Sequence, residues 1–137
     1  MTNPDSSLPR PRILVVEDEP TVAQMVADVL ESDGYDVELA ANGRLALDKL
    51  GVSTYDLIIS DLRMPELDGV GLYRELMSRQ PELLSRFFFV SGTTGQPEYR
   101  RFLEESAVPV LAKPFTLVAL QDLTRRVLAA NGPPVVG

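Results

Sequence analysis

The chain has 137 residues, of which 45% are hydrophobic and 24% are charged, and its formal net charge is −7. This length and composition fit one globular domain with a single sizeable core. Cysteine and histidine are both absent, which excludes disulfides, zinc–thiolate sites, histidine metal sites and catalysis by a histidine base. The acidic balance argues against nucleic-acid binding, which relies on Lys and Arg to neutralise phosphates.

The two ends of the chain are predicted to be tails. Residues 1–11 place prolines among polar residues, and residues 131–137 read NGPPVVG, both typical of irregular segments. The folded domain is therefore expected at residues 12–130. The N-terminus has no apolar stretch of signal-peptide type, and no apolar run approaches the ~20 residues of a membrane span. We expect a cytoplasmic protein without a membrane partner.

Five short apolar runs recur along the chain and are predicted to be strands. They span residues 12–16, 35–39, 55–60, 86–91 and 109–112. Runs such as RILVV and RFFFVS are typical of strands that are buried on both faces of a parallel sheet. The last run begins with Pro109, which suits an edge strand because proline cannot donate a ladder hydrogen bond.

A segment with helical features follows each predicted strand. The predicted helices run from Pro20 to a stop at Gly34, from Asn42 to residue 50, over 69–79 and 97–106, and from Thr116 to residue 130. Apolar residues at helical spacing, Met25, Leu45 and Leu117 among them, are expected to pack against the core. Because parallel strands need crossover connections, the alternation predicts an α/β fold, a doubly wound five-stranded parallel sheet with helices on both faces.

Charged and polar residues stand where four of the predicted strands end. Glu17 and Asp18 follow the first strand, Asp61 the third and Lys113 the fifth, while Ser91 ends the fourth. In open α/β sheets ligands bind beyond the carboxyl ends of the strands, where the strand order reverses. If the first and third strands are neighbours, three carboxylates converge, and each raises the pKa of the others unless a cation lies between them.

This set of residues is similar to a phosphoryl-transfer site, with a carboxylate nucleophile, a metal, an ammonium and a hydroxyl donor. Mg²⁺ suits the set because it prefers oxygen ligands. Any one of these residues alone is more often a solvated loop residue than a ligand. Their occurrence together, at the ends of different strands on one edge of a sheet, favours a shared site.

Four motifs in this order resemble the receiver domains of bacterial two-component response regulators. They are VVEDE at 15–19, DLRMP at 61–65 with DG at 68–69, SG at 91–92 and KPF at 113–115. The similarity extends from about Arg12 to Ala130. It implies a flavodoxin-like (βα)₅ fold with strand order 2-1-3-4-5, a cis bond between Lys113 and Pro114, and a role as phospho-receiver in a phosphorelay.

The resemblance also implies a role for each site residue. Asp61 would be the phosphoacceptor, Ser91 would hydrogen-bond the phosphoryl group, and Lys113 would pair with Asp61 or its phosphate. Mg²⁺ would be held by Glu17, Asp18, Asp61 and the backbone carbonyl of Arg63. Beyond self-phosphorylation and autodephosphorylation at Asp61, no enzymatic turnover is expected.

Val110 departs from the family pattern, which often carries Tyr or Phe three residues before the lysine. The usual coupling, in which the hydroxyl residue Ser91 moves inward and an aromatic ring follows, cannot operate unchanged, so the form of the switch stays open. The face made by the fourth helix, the fifth strand and the fifth helix is the expected output surface. Arg63 and Thr93, two residues after Asp61 and Ser91, are candidates for tuning the phosphoryl lifetime.

The expected partners are a phosphodonor and a downstream protein. The donor would be a histidine kinase or a histidine phosphotransfer protein, since this chain has no histidine. The chain fits either a stand-alone regulator or a module of a larger protein. The segment from Phe102 to Phe115 is similar to receivers attached to hybrid histidine kinases.

Three other functions deserve comparison. A magnesium-dependent aspartyl-phosphate phosphatase would carry a second Asp two residues after the nucleophile, where this chain has Arg63. A constitutive interaction module would not need the complete set of acceptor residues. A nucleotide or flavin site is disfavoured because the turn from Glu17 to Pro20 lacks glycine and would repel phosphate.

Overall fold

The computed structural model of the chain describes residues 10–92 and 96–131. Five strands within these residues form one sheet: β1 (Arg12–Val16), β2 (Asp36–Ala40), β3 (Leu57–Asp61), β4 (Phe87–Ser91) and β5 (Val110–Ala112). All strand pairs are parallel, and the order is β2-β1-β3-β4-β5. The predicted doubly wound sheet is confirmed, as is the strand order that the resemblance implies.

Helices follow the strands within the same described residues. They are α1 (Pro20–Ser32), α2 (Gly43–Leu50), α3 (Gly69–Arg79), α4 (Pro97–Ser106) and α5 (Leu117–Ala130), with a 3₁₀ turn at Pro81–Leu83. α3 and α4 have the predicted bounds, β2 lies one residue further along than predicted, and the 3₁₀ turn was not predicted. None of the described helices is long and apolar enough to cross a membrane.

The sheet separates two hydrophobic layers, because successive side chains of a strand point to opposite faces. Leu14 and Val16 of β1 belong to the layer beneath α2, α3 and α4. Ile13 and Val15 belong to the layer beneath α1 and α5. All four side chains are at most 2% exposed. Burial on both faces explains why the strands read as continuous apolar runs.

Side-chain caps fix where three of the helices begin. The carboxamide oxygen of Asn42 accepts a hydrogen bond from the Leu45 N–H at 2.9 Å, and the Thr116 hydroxyl accepts one from Ala119 at 3.1 Å. Asp68 caps α3 in the same way, accepting from the Gly71 N–H at 2.8 Å. These bonds satisfy backbone donors that the first turn of a helix leaves unpaired.

Three residues that were predicted to pack against the core are instead exposed: Met25 by 37%, Leu45 by 45% and Leu117 by 48%. Each lies beside the buried face of its helix, which is narrower than the apolar spacing suggests. On α2 the small residue Ala46 is fully buried and takes the place predicted for Leu45.

Of the two predicted tails, the structure describes only residues 10, 11 and 131. The Asp36 N–H donates to the Pro11 carbonyl at 2.9 Å, and the Asn131 amide donates to the Ser85 carbonyl at 2.8 Å. These flanking residues therefore contact the domain, and the tail boundaries otherwise remain predictions.

Candidate functional site

The carboxyl ends of β1 and β3 bring three acidic side chains together. Val16 of β1 pairs with Ser60 of β3, so the next residues, Glu17 and Asp61, lie side by side. With Asp18, they each offer a carboxylate oxygen within 4.8 Å of the others. The three carboxylates converge as expected for adjacent first and third strands.

Lys113 contacts this cluster although it follows the outer strand β5. Strand β4 lies between β5 and β3. Its Nζ donates to Glu17 Oε1 at 3.0 Å and to Asp61 Oδ2 at 3.1 Å. The Lys113–Pro114 peptide bond is cis, as the resemblance implies. The contact with Asp61 was expected, whereas the shared contact with Glu17 was not.

The pKa values of Glu17 and Lys113 are both raised, for different reasons. Burial raises the pKa of Glu17, the hydrogen bond from Lys113 opposes the rise, and the charge of Asp61 adds to it. Burial alone would lower the pKa of Lys113, but the hydrogen bonds to Glu17 and Asp61 outweigh it and raise that pKa. Lys113 therefore stays cationic, and Glu17 holds a proton more readily than an exposed glutamate does.

The backbone around Asp61 is fixed by a close approach of α3. A Cβ atom on Gly69 would lie 2.3 Å from the Asp61 carbonyl oxygen and 2.9 Å from Phe89 Cε1. The Gly69 N–H donates to the Leu62 carbonyl at 2.9 Å. Glycine is thus required at position 69 for steric reasons, and α3 holds the end of β3 in place.

The remaining predicted site residues lie around this cluster with different degrees of exposure. Ser91 is 1% exposed at the end of β4, and its carbonyl accepts a hydrogen bond from the Lys113 N–H at 3.0 Å. Arg63 is exposed on the β3–α3 loop, and Val110 is partly buried on β5. Thr93 lies outside the described residues.

A pocket of about 340 Å³ opens beside the acidic cluster. It is lined by Asp18, Arg63, Met64, Pro65, Asp68 and Tyr99. In the sequence, Tyr99 lies in the predicted helix over 97–106 and shows only the apolar spacing of a core residue. No local signal marks it as a site residue, because it reaches the pocket from α4 through tertiary structure alone.

The donor set fits a hard divalent cation. All three side chains of the cluster are carboxylates, and oxygen ligands are what Mg²⁺ prefers. Both Glu17 oxygens already accept hydrogen bonds, Oε1 from Lys113 and Oε2 from the Glu19 N–H at 3.2 Å. Glu17 and Asp61 share the ammonium of Lys113, and Asp18 adds a third carboxylate, so a cation between the three would relieve their repulsion.

The sheet order and the acidic edge with its lysine together define a signalling domain of the phospho-receiver class. The family model described as the response regulator receiver domain matches residues 13–125, and the chain belongs to this family. It is therefore a receiver domain of two-component signalling. Domains of this kind interact with histidine kinases or phosphotransfer proteins.

Individual relatives point the same way. The chain is 37% identical over 119 residues to the sensor kinase CckA of Brucella abortus, covering 85% of this chain but 12% of that protein. The receiver domain of a histidine kinase from Syntrophus aciditrophicus superposes with a TM-score of 0.81 at 35% identity, covering 89% of this chain and 92% of the other.

A third relative bears on the metal. The receiver domain of a sensor histidine kinase from Pseudomonas aeruginosa has a TM-score of 0.78 and 30% identity, with 88% of this chain and 99% of the other covered. That structure has a magnesium ion coordinated in its active-site cleft. The corresponding edge of the present sheet carries an acidic pocket suited to a metal ion.

Proposed function

We propose that Asp61 accepts a phosphoryl group from a phosphohistidine on a partner protein. The observation that carries the proposal is the position of its carboxylate, 3.1 Å from the Lys113 ammonium and beside two further carboxylates. An oxygen of Asp61 attacks phosphorus, the P–N bond breaks, and its electron pair stays on the imidazole nitrogen of the donor. The product is an aspartyl phosphate.

The neighbouring residues supply the charge and the hydrogen bonds that this transfer needs. Lys113 offsets negative charge on the transferred group, and the Ser91 hydroxyl donates to one of its oxygens. Glu17, Asp18, Asp61 and the Arg63 carbonyl would hold Mg²⁺. When bound, this ion would neutralise charge on the phosphoryl oxygens. Arg63 and Thr93 stay candidates for tuning the lifetime of the product.

The reaction needs a protein phosphodonor and a cellular compartment in which that donor is phosphorylated. The donor is a histidine kinase or a histidine phosphotransfer protein, and the reaction takes place in the cytoplasm, where the ATP that charges such kinases is made. The receiver domain extends over residues 12–130, with a tail at each end. The domain signals through protein contacts rather than through nucleic acid, which its net charge of −7 disfavours.

The α4-β5-α5 face is the proposed output surface. β5 is an edge strand bonded only to β4, and a groove of about 840 Å³ runs beside it. Its lining includes Ala107, Val110, Leu111, Asp122 and Arg126.

Amide hydrogen exchange with and without the phosphoryl mimic beryllofluoride tests this assignment of the output surface. We expect protection to change in α4, β5 and α5, and a change confined to α1 and β2 would contradict it.

Phosphorylation at Asp61 is tested directly by mass spectrometry. Incubation with Mg²⁺ and acetyl phosphate should add one phosphoryl group to the wild type and none to Asp61→Asn, because the amide is not a nucleophile. Asp48→Asn, which changes an exposed acid on α2, is the matched control and should be labelled normally. Persistent labelling of Asp61→Asn would place the acceptor elsewhere.

The same preparation distinguishes the competing functions. A phosphatase would release phosphate from a monoester such as p-nitrophenyl phosphate with steady turnover, and we expect none. A constitutive interaction module would take up no phosphoryl group from any donor. Labelling that requires both Asp61 and Mg²⁺ contradicts the constitutive module, and the same labelling without turnover of the monoester contradicts the phosphatase.

A further inference from the structure

One aromatic ring lines the pocket beside the acidic cluster. Among the described residues that line this pocket, Tyr99 alone is aromatic, and the others are two acids, an arginine, a methionine and a proline. Tyr99 is nevertheless only 9% exposed. A volume of about 340 Å³ has room for roughly ten water molecules at liquid density. Asp18 lines this pocket and also belongs to the acidic cluster with Asp61, so the ring borders space from which water can reach that cluster.

The anchoring of α4 keeps the ring in that position. α4 has two buried side chains, Tyr99 in its first turn and Phe102 one turn later. Phe102 packs edge-on against Tyr73, with ring centroids 5.2 Å apart, and against Phe89 at 5.8 Å. Both rings belong to the same hydrophobic layer, but Tyr99 also lines the pocket, whereas Phe102 is not among the described residues that line it.

The charges near Tyr99 show that its phenol lies within electrostatic range of the site. Burial raises its pKa, and the carboxylates of Asp68, Glu98 and Asp61 add to the rise while Arg63 opposes it. The phenol is consequently neutral at physiological pH. It adds a bulky uncharged group to an opening that also carries two acids and an arginine.

We propose that the ring of Tyr99 restricts the approach of water to phosphorylated Asp61 and so sets the lifetime of the aspartyl phosphate. In the hydrolysis, a water oxygen bonds to phosphorus, the bond between phosphorus and the Asp61 oxygen breaks, and the electron pair returns to the carboxylate. The products are Asp61 carboxylate, inorganic phosphate and a proton. Tyr99 is a positioning residue in this step, because it orders the space that water must cross. This inference rests on the proposed acceptor role of Asp61.

The test measures loss of phosphoryl group from purified, phosphorylated protein in Mg²⁺ after removal of acetyl phosphate. Tyr99→Ala should lose it about threefold faster than the wild type, a change of under one power of ten in rate. Tyr99→Phe keeps the ring and should restore the wild-type rate. Tyr99→Leu, which keeps an apolar side chain if the alanine variant folds poorly, should be intermediate.

Phe102→Leu is the matched control, because it weakens the packing of the same helix without touching the pocket. It should lower the melting temperature but leave the hydrolysis rate unchanged. Equal acceleration in Phe102→Leu would assign the effect to general loosening of α4 and overturn the inference. Equal acceleration in Tyr99→Phe would overturn it too, because the hydroxyl rather than the ring would then be responsible.

The same measurements test the roles of Tyr99 and Asp61 separately. If wild type and Tyr99→Ala are both labelled at Asp61 and decay at the same rate, the role of Tyr99 is wrong and the acceptor role stands. If the wild type takes up no phosphoryl group, both are wrong.

Discussion

Two buried acids lie at opposite ends of the strands and have opposite surroundings. At the carboxyl edge, Glu17 is 6% exposed and shares the Lys113 ammonium with Asp61. At the opposite edge, Asp56 is 2% exposed, accepts the Arg12 N–H at 2.8 Å and lies 3.8 Å from the Arg86 guanidinium. Both are carboxylates that the fold removes from water.

The two surroundings indicate different roles. Asp56 stabilises the fold, whereas Glu17 and Asp61 are suited to bind a cation. Asp56 bonds a backbone donor of β1 and pairs with a cation on the β4 side, so its charge is compensated within the protein. Glu17 and the neighbouring Asp61 have one ammonium between them and a third acid, Asp18, alongside. Uncompensated buried charge is costly, so the carboxyl edge is stabilised by whatever cation or chemical group relieves it.

The largest predicted effect concerns Asp56. Asp56→Ala should lower the free energy of unfolding by about 2–4 kcal/mol, because it leaves the Arg12 N–H and the Arg86 guanidinium without this acceptor. Asp56→Asn, which keeps an acceptor oxygen, should cost less. Urea denaturation measures both. Surface substitutions usually change the free energy of unfolding by less than about 0.5 kcal/mol. A loss that small in Asp56→Ala would contradict a stabilising role for Asp56.

The next effect is the response to Mg²⁺. Free Mg²⁺ at ten times its dissociation constant should stabilise the wild type by about 1.4 kcal/mol, because only the folded protein brings the carboxylates together. Thermal melts with and without the ion measure this. Asp18→Asn should lose most of the gain, and Asp56→Asn should keep it. Equal gains in all three proteins would mean that the ion binds elsewhere.

The smallest effect is a dependence on pH in chelator, without divalent cations. The pKa of Glu17 is higher in the folded protein than its ordinary value of 4.5, so the folded state binds the proton more tightly. Its contribution to stability is fully present below pH 4.5 and is lost as the pH rises through the raised pKa. Glu17→Gln should remove this part of the curve. A wild-type curve that coincides with the variant's would show that Glu17 titrates normally.

The sequence predicts most of the fold because its boundary signals are local. A run of acids and Pro20 follow β1, α3 begins at Gly69 directly after its cap Asp68, and α4 begins at Pro97. Convergence of the strand ends follows from parallel topology, so the gathering of Glu17, Asp18 and Asp61 could also be anticipated.

Contacts between distant residues could not be predicted in the same way. Asp56 is an unremarkable acid in the run YDLIIS, and its bond to Arg12 spans 44 residues of sequence. The approach of Gly69 to the Asp61 carbonyl depends on how α3 packs on the sheet. Tyr99 has the spacing of a core residue, and only the fold reveals that it lines the pocket.

The reach of Lys113 across the sheet has a further consequence. The strand before it, β5, has three residues and a hydrogen-bonded neighbour on one side only. The ion pairs of Lys113 with Glu17 and Asp61 therefore hold the end of β5 to the central strands, in addition to the backbone hydrogen bonds with β4. A change in the charge of Asp61 alters the electrostatic attraction on Lys113 and therefore the force on β5. One side chain thus couples the end of β3 to a strand two positions away in the sheet.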